Sequence, residues 1–192
     1  MQLSPTIYHS FIRPKWITKV YIQNNIQQHF NFTDKKVLDF GAGTGANCTL
    51  CSPVHYLGID PDSRRIDFAK RKYNQYRFKA FKGNELPAEN NSFDFILIVA
   101  VLHHIPSETI LFYIKEFKRI LKPQGKIVVI EPCFFEKSPI SNWFMKYNDK
   151  GDYIRSEKDY LNYFTTENFR CNVIKKFKKC FFYNELYFTA LL

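Results

Sequence analysis

Along this chain, short runs of apolar residues alternate with stretches in which apolar positions recur every three or four residues. The short runs are Lys36 to Phe40, Tyr56-Leu57-Gly58-Ile59, Arg77 to Phe81, Phe93 to Val99 and Lys126 to Pro132. Punctuated by glycine, proline, asparagine and charged residues, they read as buried strands. Between them the period turns helical. Asp62 to Tyr73 puts Ile66, Ala69 and Tyr73 on one face, with Asp62 or Ser63 as its cap. The stretch after Pro106 aligns Ile110, Ile114, Phe117 and Leu121, and Pro123 and Gly125 stop it. Pro14 marks a helix start, with Ile17, Val20 and Tyr21 on one face, in a leading segment of residues 1–35. A short helix is expected around Cys48, and one or two short helices rich in Tyr and Phe between Ser138 and Asn168. Cys171 to Lys178 and Tyr183 to Leu192 predict a closing hairpin that turns near Tyr183-Asn184. Such alternation of strand and helix implies one α/β domain over residues 1–192 with a mostly parallel sheet.

Candidate chemistry sits at the ends of the first two strands. Val37-Leu38-Asp39-Phe40 runs into Gly41-Ala42-Gly43-Thr44-Gly45, a strand ending in a turn whose backbone must approach something closely. Asp60 closes the next strand 19 positions after Gly41, the interval at which a nucleotide-binding βαβ unit places its ribose-binding carboxylate. Together they describe a site for an adenosine-containing molecule. A dinucleotide fingerprint would need a third glycine where Ala46 stands, and no phosphate-cradling G-x-x-x-x-G-K-[ST] is present.

The turn with Asp39 two residues before it resembles motif I of the class I S-adenosylmethionine-dependent methyltransferases. Further on, Leu86-Pro87-Ala88-Glu89-Asn90-Asn91-Ser92-Phe93-Asp94, then Val101-Leu102-His103-His104-Ile105-Pro106, then Arg119 to Pro132 resemble the central half of the small-molecule members. The resemblance runs from about Val37 to Pro132, half the chain. It implies a Rossmann-like α/β fold: a mostly parallel seven-stranded sheet, helices on both faces and a C-terminal antiparallel hairpin. It also implies S-adenosylmethionine as cofactor, with S-adenosylhomocysteine as product. Carried over residue by residue, Asp39 reaches the methionine ammonium group. Gly41, Ala42, Gly43 and Gly45 pass beneath methionine and ribose. Asp60, followed by Pro61, takes the ribose hydroxyls, Asn84 or Glu85 meets the adenine edge, Leu86 packs on its face, and the carbonyls of Val99 and Ala100 line the sulfonium. The leading helix is expected to cover this site.

Because the sulfonium is an activated donor, a general base matters only for a hydroxyl, a protonated amine or a carbon acid. His104, Glu131 and Tyr153 are the catalytic candidates, beside the reading that no side chain is indispensable. The pair His103-His104 is weighed as structural or pocket-lining against base catalysis, on the ground that adjacent helical side chains diverge. Residues 133–169 cover the acceptor in relatives, which points to Trp143, Tyr147, Asp152, Tyr153, Arg155 and Tyr160, or to a lid packed on its own aromatic residues. The implied activity is methyl transfer to a small-molecule, lipid or glycan-type acceptor. The alternatives are an RNA-directed methyltransferase and a non-catalytic cofactor-binding regulatory subunit.

Charge keeps the RNA alternative open. The 192 residues carry a net charge of +10, and Lys175-Lys176-Phe177-Lys178-Lys179 is a basic run with an aromatic inside it. On an edge hairpin, however, lysines guard against aggregation, and the [DNS]-P-P-[YFW] motif of amino-methylating nucleic-acid enzymes is missing. The five cysteines, Cys48, Cys51, Cys133, Cys171 and Cys180, have irregular spacing and read as core thiols in a reducing compartment, with a redox or zinc pair at Cys48/Cys51 as the alternative. Cys133 as a nucleophile lacks the Pro-Cys that accompanies it in RNA cytosine methyltransferases. No metal site is expected. The longest apolar run, Phe95 to Leu102, is well short of the roughly 20 residues that span a bilayer. With no signal peptide seen in residues 1–30, a cytoplasmic location is expected.

Overall fold

The computed structural model describes residues 15–149 and 151–192, so Pro14 lies outside the described residues. The chain packs as two compact units, one ending at Gly83 and the other running Asn84–Leu192.

In the first unit, helix α1 comprises Lys15–Ile17, a π-wound stretch Thr18–Gln23, and Asn24–Gln27. It buries Thr18, Ile22, Asn25 and Ile26, while Val20 is 48% exposed and Ile17 and Tyr21 are half-buried. The expected face was wrong because two of the four buried positions, Thr18 and Asn25, are polar, so the apolar pattern pointed one residue away from a buried set that itself recurs every three or four residues. Strands β1 (Val37–Phe40), β2 (Tyr56–Asp60) and β3 (Arg77–Ala80) are parallel, in the order β3-β2-β1. Registers run from Val37↔Tyr56 to Phe40↔Ile59 and from Leu57↔Arg77 to Asp60↔Ala80. β1 is buried on both faces, which is why its sequence runs apolar without alternation. Helix α2 (Ser63–Lys72) is capped by Asp62, whose carboxylate accepts the Arg64 N–H at 3.0 Å, and it buries Ile66 and Ala69. The short helix expected at Cys48 is only a 3₁₀ turn, Cys48–Leu50, followed by a second, Pro53–His55. The 41–55 connection spends its first residues on the glycine turn, and Pro53 has no N–H to continue a helix.

In the second unit, β4 (Phe93–Val99) lies parallel to β5 (Leu121–Phe134). Helix α3 (Ser107–Ile120) connects them and buries Ile110, Ile114 and Phe117 as expected. Leu121, expected on that helix, already belongs to β5 and pairs with Phe93. Helix α4 (Pro139–Asn148), the two-residue strand β6 (Arg155–Ser156) and helix α5 (Glu157–Thr165) follow. β6 pairs with Cys133-Phe134 at the end of β5, and α5 opens with a reciprocal Ser156/Asp159 capping box. β7 (Arg170–Lys179) and β8 (Tyr183–Leu191) close the unit as an antiparallel hairpin in the order β4-β5-β8-β7. The hairpin reverses through Cys180-Phe181-Phe182, with positive φ at Cys180 and Phe181, not at Tyr183-Asn184: Tyr183 is already paired with Lys179. In the basic run, Lys176 and Lys179 form ion pairs with Glu157 and Glu185, and Lys175 and Lys178 face solvent. Among the described residues no helix is long and apolar enough to cross a membrane.

Candidate functional site

Gly41, Gly43 and Gly45 all take positive φ, +76°, +54° and +78°, so the turn after β1 winds through conformations that disfavour side chains. At Gly45 space forbids one as well, since a Cβ would lie 2.8 Å from the Phe78 ring. At Gly43 a Cβ would meet nothing closer than Asp60 Oδ2 at 3.9 Å, so conformation alone demands glycine there. The turn is tied to β2 by the Gly41 and Ala42 N–H groups, both donating to Ile59 O at 2.9 Å.

Asp60 lies directly beneath it. Its Oδ2 accepts the Gly43 N–H and its Oδ1 the Asp62 N–H, each at 2.9 Å, and the residue is 5% exposed. Burial raises its pKa, against the lowering effect of those N–H groups and of Arg65. Asp62, not Asp60, caps the next helix, so Asp60 is released from that duty. Asp39 is buried at the end of β1, where Oδ2 accepts the Tyr56 hydroxyl at 2.7 Å. Tyr56 was not singled out in the sequence; the parallel register that sets Val37 opposite it is the signal that would have found it. Ala42 and Gly43 are buried, and Pro61 is exposed.

In the second unit, Asn84 and Glu85 are exposed and Leu86 is buried. Their segment is fastened to α3 by Glu116, which accepts the Leu86 N–H at 2.8 Å, and by Arg119, which donates to Leu86 O and Ala88 O. Glu116 and Arg119 also pair with each other, and the guanidinium holds the carboxyl below its usual range. Val99 is buried, and Ala100 carries a left-handed φ of +55° while its N–H donates to Ile130 O.

The turn after β4 corrects several expectations. Glu131, one of the catalytic candidates, is 0% exposed. Its Oε1 accepts the Val101 and Leu102 N–H groups at 2.7 and 2.9 Å, and its Oε2 accepts the His103 N–H at 3.3 Å and meets His103 Nδ1 at 2.8 Å. A carboxylate with four donors has no capacity left to act on an acceptor. Leu102–His104 is a 3₁₀ turn, in which the two imidazoles converge to ring centroids 3.9 Å apart, not diverge as on an α-helix. His103 is buried and His104 exposed. Burial disfavours the charged His103 ring, but the Glu131 bond, aided by Glu131, Asp149 and Glu185 charges, raises its pKa.

Arg155, expected to help bind an acceptor, instead secures this turn from the other side. It donates to Leu102 O at 3.0 Å, Ile105 O at 2.8 Å, Tyr153 O at 2.7 Å and the Tyr163 hydroxyl at 2.9 Å. Tyr160 is a core residue whose hydroxyl donates to Pro132 O at 3.1 Å. Tyr153 is exposed, and its N–H donates to His103 O at 3.0 Å, which keeps it beside the turn. Asp152 is exposed, as are Trp143 and Tyr147, whose rings meet at a tilt of 52° with centroids 5.2 Å apart. A cavity of about 920 Å³ opens within the 133–169 segment, lined among others by Phe134, Phe135, Lys137, Lys158 and Leu161, with Lys176 from β7. His104, Glu131 and Tyr153 do not line it.

The cysteines sit in apolar surroundings. Burial pushes the Cys48 and Cys133 thiols up to about 12 and Cys51 higher still, so the thiolate form is disfavoured. Among the described residues no cluster of His, Cys, Asp and Glu could hold a metal ion.

Comparison with known proteins agrees with this arrangement. A methyltransferase-domain family model matches residues 15–173. A phosphoethanolamine N-methyltransferase from Plasmodium falciparum is 26% identical over 150 residues, covering 74% of this chain and 56% of that protein. A demethylmenaquinone methyltransferase from Tropheryma whipplei is 32% identical over 101 residues, covering 50% of this chain and 41% of that one. The chain thus spans about half the length of these relatives. A SAM-dependent methyltransferase structure from Archaeoglobus fulgidus superposes with a TM-score of 0.77 at 14% identity, covering 96% of this chain and 97% of that one. The fold is therefore the Rossmann-like methyltransferase fold with its C-terminal antiparallel hairpin. With the family model matching most of its length, the chain belongs to the methyltransferase-domain family.

Proposed function

We propose that this chain transfers a methyl group from S-adenosylmethionine to a small-molecule, lipid or glycan-type acceptor, releasing S-adenosylhomocysteine. One observation carries the reading: the Asp60 carboxylate bonded to Gly43 under a turn of three positive-φ glycines. A carboxylate accepts about four hydrogen bonds, and the Gly43 and Asp62 N–H groups occupy two places. Capacity for two hydroxyl donors remains, which fits the ribose of the cofactor. Asp39, with the Tyr56 hydroxyl on one oxygen, is the second acidic group of the same unit and fits the donor's ammonium. In the second unit, Asn84, Glu85, Leu86, Val99 and Ala100 keep the roles the resemblance gives them.

When bound, the sulfonium supplies an activated methyl group, so the side chains here bind and orient. The cavity of about 920 Å³ in the 133–169 segment is of the size that takes small organic ligands, but His104 is not in its lining, so it carries no argument about the acceptor at His104. Exposed His104 is the candidate base for a hydroxyl or protonated amine, held in place because Glu131 and Arg155 fix the turn that carries it. The two relatives act, by their names, on phosphoethanolamine and demethylmenaquinone, which differ widely in polarity and leave the acceptor to experiment. Titration calorimetry with S-adenosylhomocysteine tests the donor site, and release of S-adenosylhomocysteine from S-adenosylmethionine over acceptor mixtures tests turnover. Saturable binding with acceptor-dependent release is expected. No binding overturns the reading, and binding without turnover on any acceptor favours a cofactor-binding regulatory subunit.

A further inference from the structure

Helix α4 is inverted relative to an ordinary surface helix, which turns its apolar stripe to the core. It buries Ser141 and Met145, and its Asn142 accepts the side-chain amide of Asn184 in β8 at 3.1 Å. Toward solvent it sends Ile140, Trp143 and Tyr147, spaced three and four residues apart on one face and exposed by 71%, 62% and 70%. Phe144 beside them carries this face over to the tip of the β7–β8 hairpin. Its ring lies 5.1 Å from that of Phe182 and 6.0 Å from that of Tyr183. At the tip, Phe181 is 86% exposed and holds a left-handed φ of +66°, a conformation in which glycine or asparagine would be expected. A contiguous exposed apolar patch of this kind marks an interaction surface.

The charge around the patch is of one sign. Residues 137–148 and 170–184 hold two and five Lys and Arg respectively, and no Asp or Glu. Lys146 is exposed one turn after Trp143. Lys178 is exposed and pairs across the hairpin with Asn184, whose side chain meets α4, so cross-strand pairing puts Lys178 on the α4 side of the sheet. The flanking acids are engaged or offset. Asp149 accepts the Gly151 N–H at 2.6 Å and faces His103 Nε2 at 3.6 Å, Glu185 pairs with Lys179, and Glu136 adjoins Lys137. Trp and Tyr among lysines, with Ile140 and Phe181 in the same patch, suit the headgroup boundary of a lipid bilayer. There the rings and aliphatic groups leave water while the ammonium groups stay with the phosphates. A nucleic acid would take the cations and stack on the rings, but it offers an aliphatic side chain such as Ile140 little to bury against. We infer that α4 and the β7–β8 tip dock this chain peripherally on an anionic phospholipid surface. The inference is independent of the donor-binding reading of the preceding section.

The test is flotation of the whole chain with vesicles of phosphatidylcholine alone and of phosphatidylcholine mixed equally with phosphatidylserine. Binding to the mixed vesicles, weakened by added salt and far weaker on the neutral ones, is expected. In Trp16→Phe, Trp143 is the remaining tryptophan, and its emission should move to shorter wavelength on the mixed vesicles. Trp143→Ser and Phe181→Ser are each expected to lower the partition coefficient about tenfold, the loss of one aromatic side chain taken out of water. Lys146→Gln and Lys178→Gln should each lower it about fivefold. Because all four side chains are exposed, these variants should melt with the wild type. No binding to the mixed vesicles, binding that the serine variants leave unchanged, or a Trp143 emission that stays in place would overturn the inference. So would a wild-type dimer that Trp143→Ser makes monomeric, which gives the face to a second copy, or binding of an RNA homopolymer, lost in the same variants, without binding to vesicles. A sharp fall in the melting temperature of the serine variants would also overturn it, by showing that the rings are packed inside the protein.

Discussion

Asp60 and Glu131 are both buried carboxylates near the carboxyl ends of parallel strands, and each grips the backbone of a neighbouring turn. Asp60 accepts two N–H groups, one on each oxygen, and retains acceptor positions. Glu131 accepts three N–H groups and meets the His103 ring, and it retains none. What separates a binding carboxylate from a structural one is therefore not burial but the number of donors already aimed at it. The turns reflect the same division. The one over Asp60 alternates three positive-φ glycines with Ala42 and Thr44, whereas the one over Glu131 is built from Leu102, His103 and His104 and clasped by Arg155 at its carbonyls.

The comparison breaks most easily at Glu131. Glu131→Ala leaves three backbone N–H groups and His103 without their buried acceptor, and removing one partner of such a cluster costs about 3–5 kcal/mol. Urea unfolding is expected to show a midpoint shift of that size with an unchanged slope. Wild-type stability in this variant would mean that the carboxylate is not needed by the turn.

At Asp60 the effect moves from stability to affinity. Asp60→Ala is expected to weaken S-adenosylhomocysteine at least tenfold, within the ~1–3 kcal/mol of a lost charged hydrogen-bonding group. Its unfolding midpoint should fall by less than that of Glu131→Ala, because it frees two N–H groups instead of three plus a ring. An unchanged dissociation constant would remove Asp60 from the site.

Asp60 was legible in the sequence and the role of Glu131 was not, for a physical reason. Asp60 and the glycines act through a local pattern, a strand end followed by a turn of fixed spacing, and sequence carries such patterns directly. The role of Glu131 depends on N–H groups some thirty positions away, brought to it by the parallel pairing of β4 and β5. Arg155 reaches Leu102 over fifty positions, and the sequence offered no sign that its donors were committed. Local pattern can also mislead. The buried face of α1 was misplaced because two of its four buried positions, Thr18 and Asn25, are polar, and the hairpin turn was placed too late because Tyr183 has no turn signature that separates it from Phe181 and Phe182. Period and spacing place strands, caps and glycine turns, whereas hydrogen-bond saturation is a property of the fold.

The smallest expected effect sharpens the same contrast through His103. Glu131 at 2.8 Å and Asp149 at 3.6 Å flank its two nitrogens, Glu185 adds its charge, and the His104 ring lies 3.9 Å away by centroid. Burial opposes protonation, and the carboxylates overcome it, so the folded pKa is raised. A raised pKa gives stability that is fully present below the unfolded value of about 6.5 and lost as pH rises through the folded value. Melting temperatures of the wild type are therefore expected to decline across that window relative to His103→Gln, in which position 103 no longer titrates. The difference is modest because it is a margin between opposing causes. In Glu131→Gln the leading carboxylate is gone, and the His103 titration followed by NMR should shift to lower pH while the Asp60 turn still binds S-adenosylhomocysteine. A His103 titration that stays in place would show that Asp149 and Glu185, not Glu131, charge the ring, and Glu131 would then be holding backbone alone.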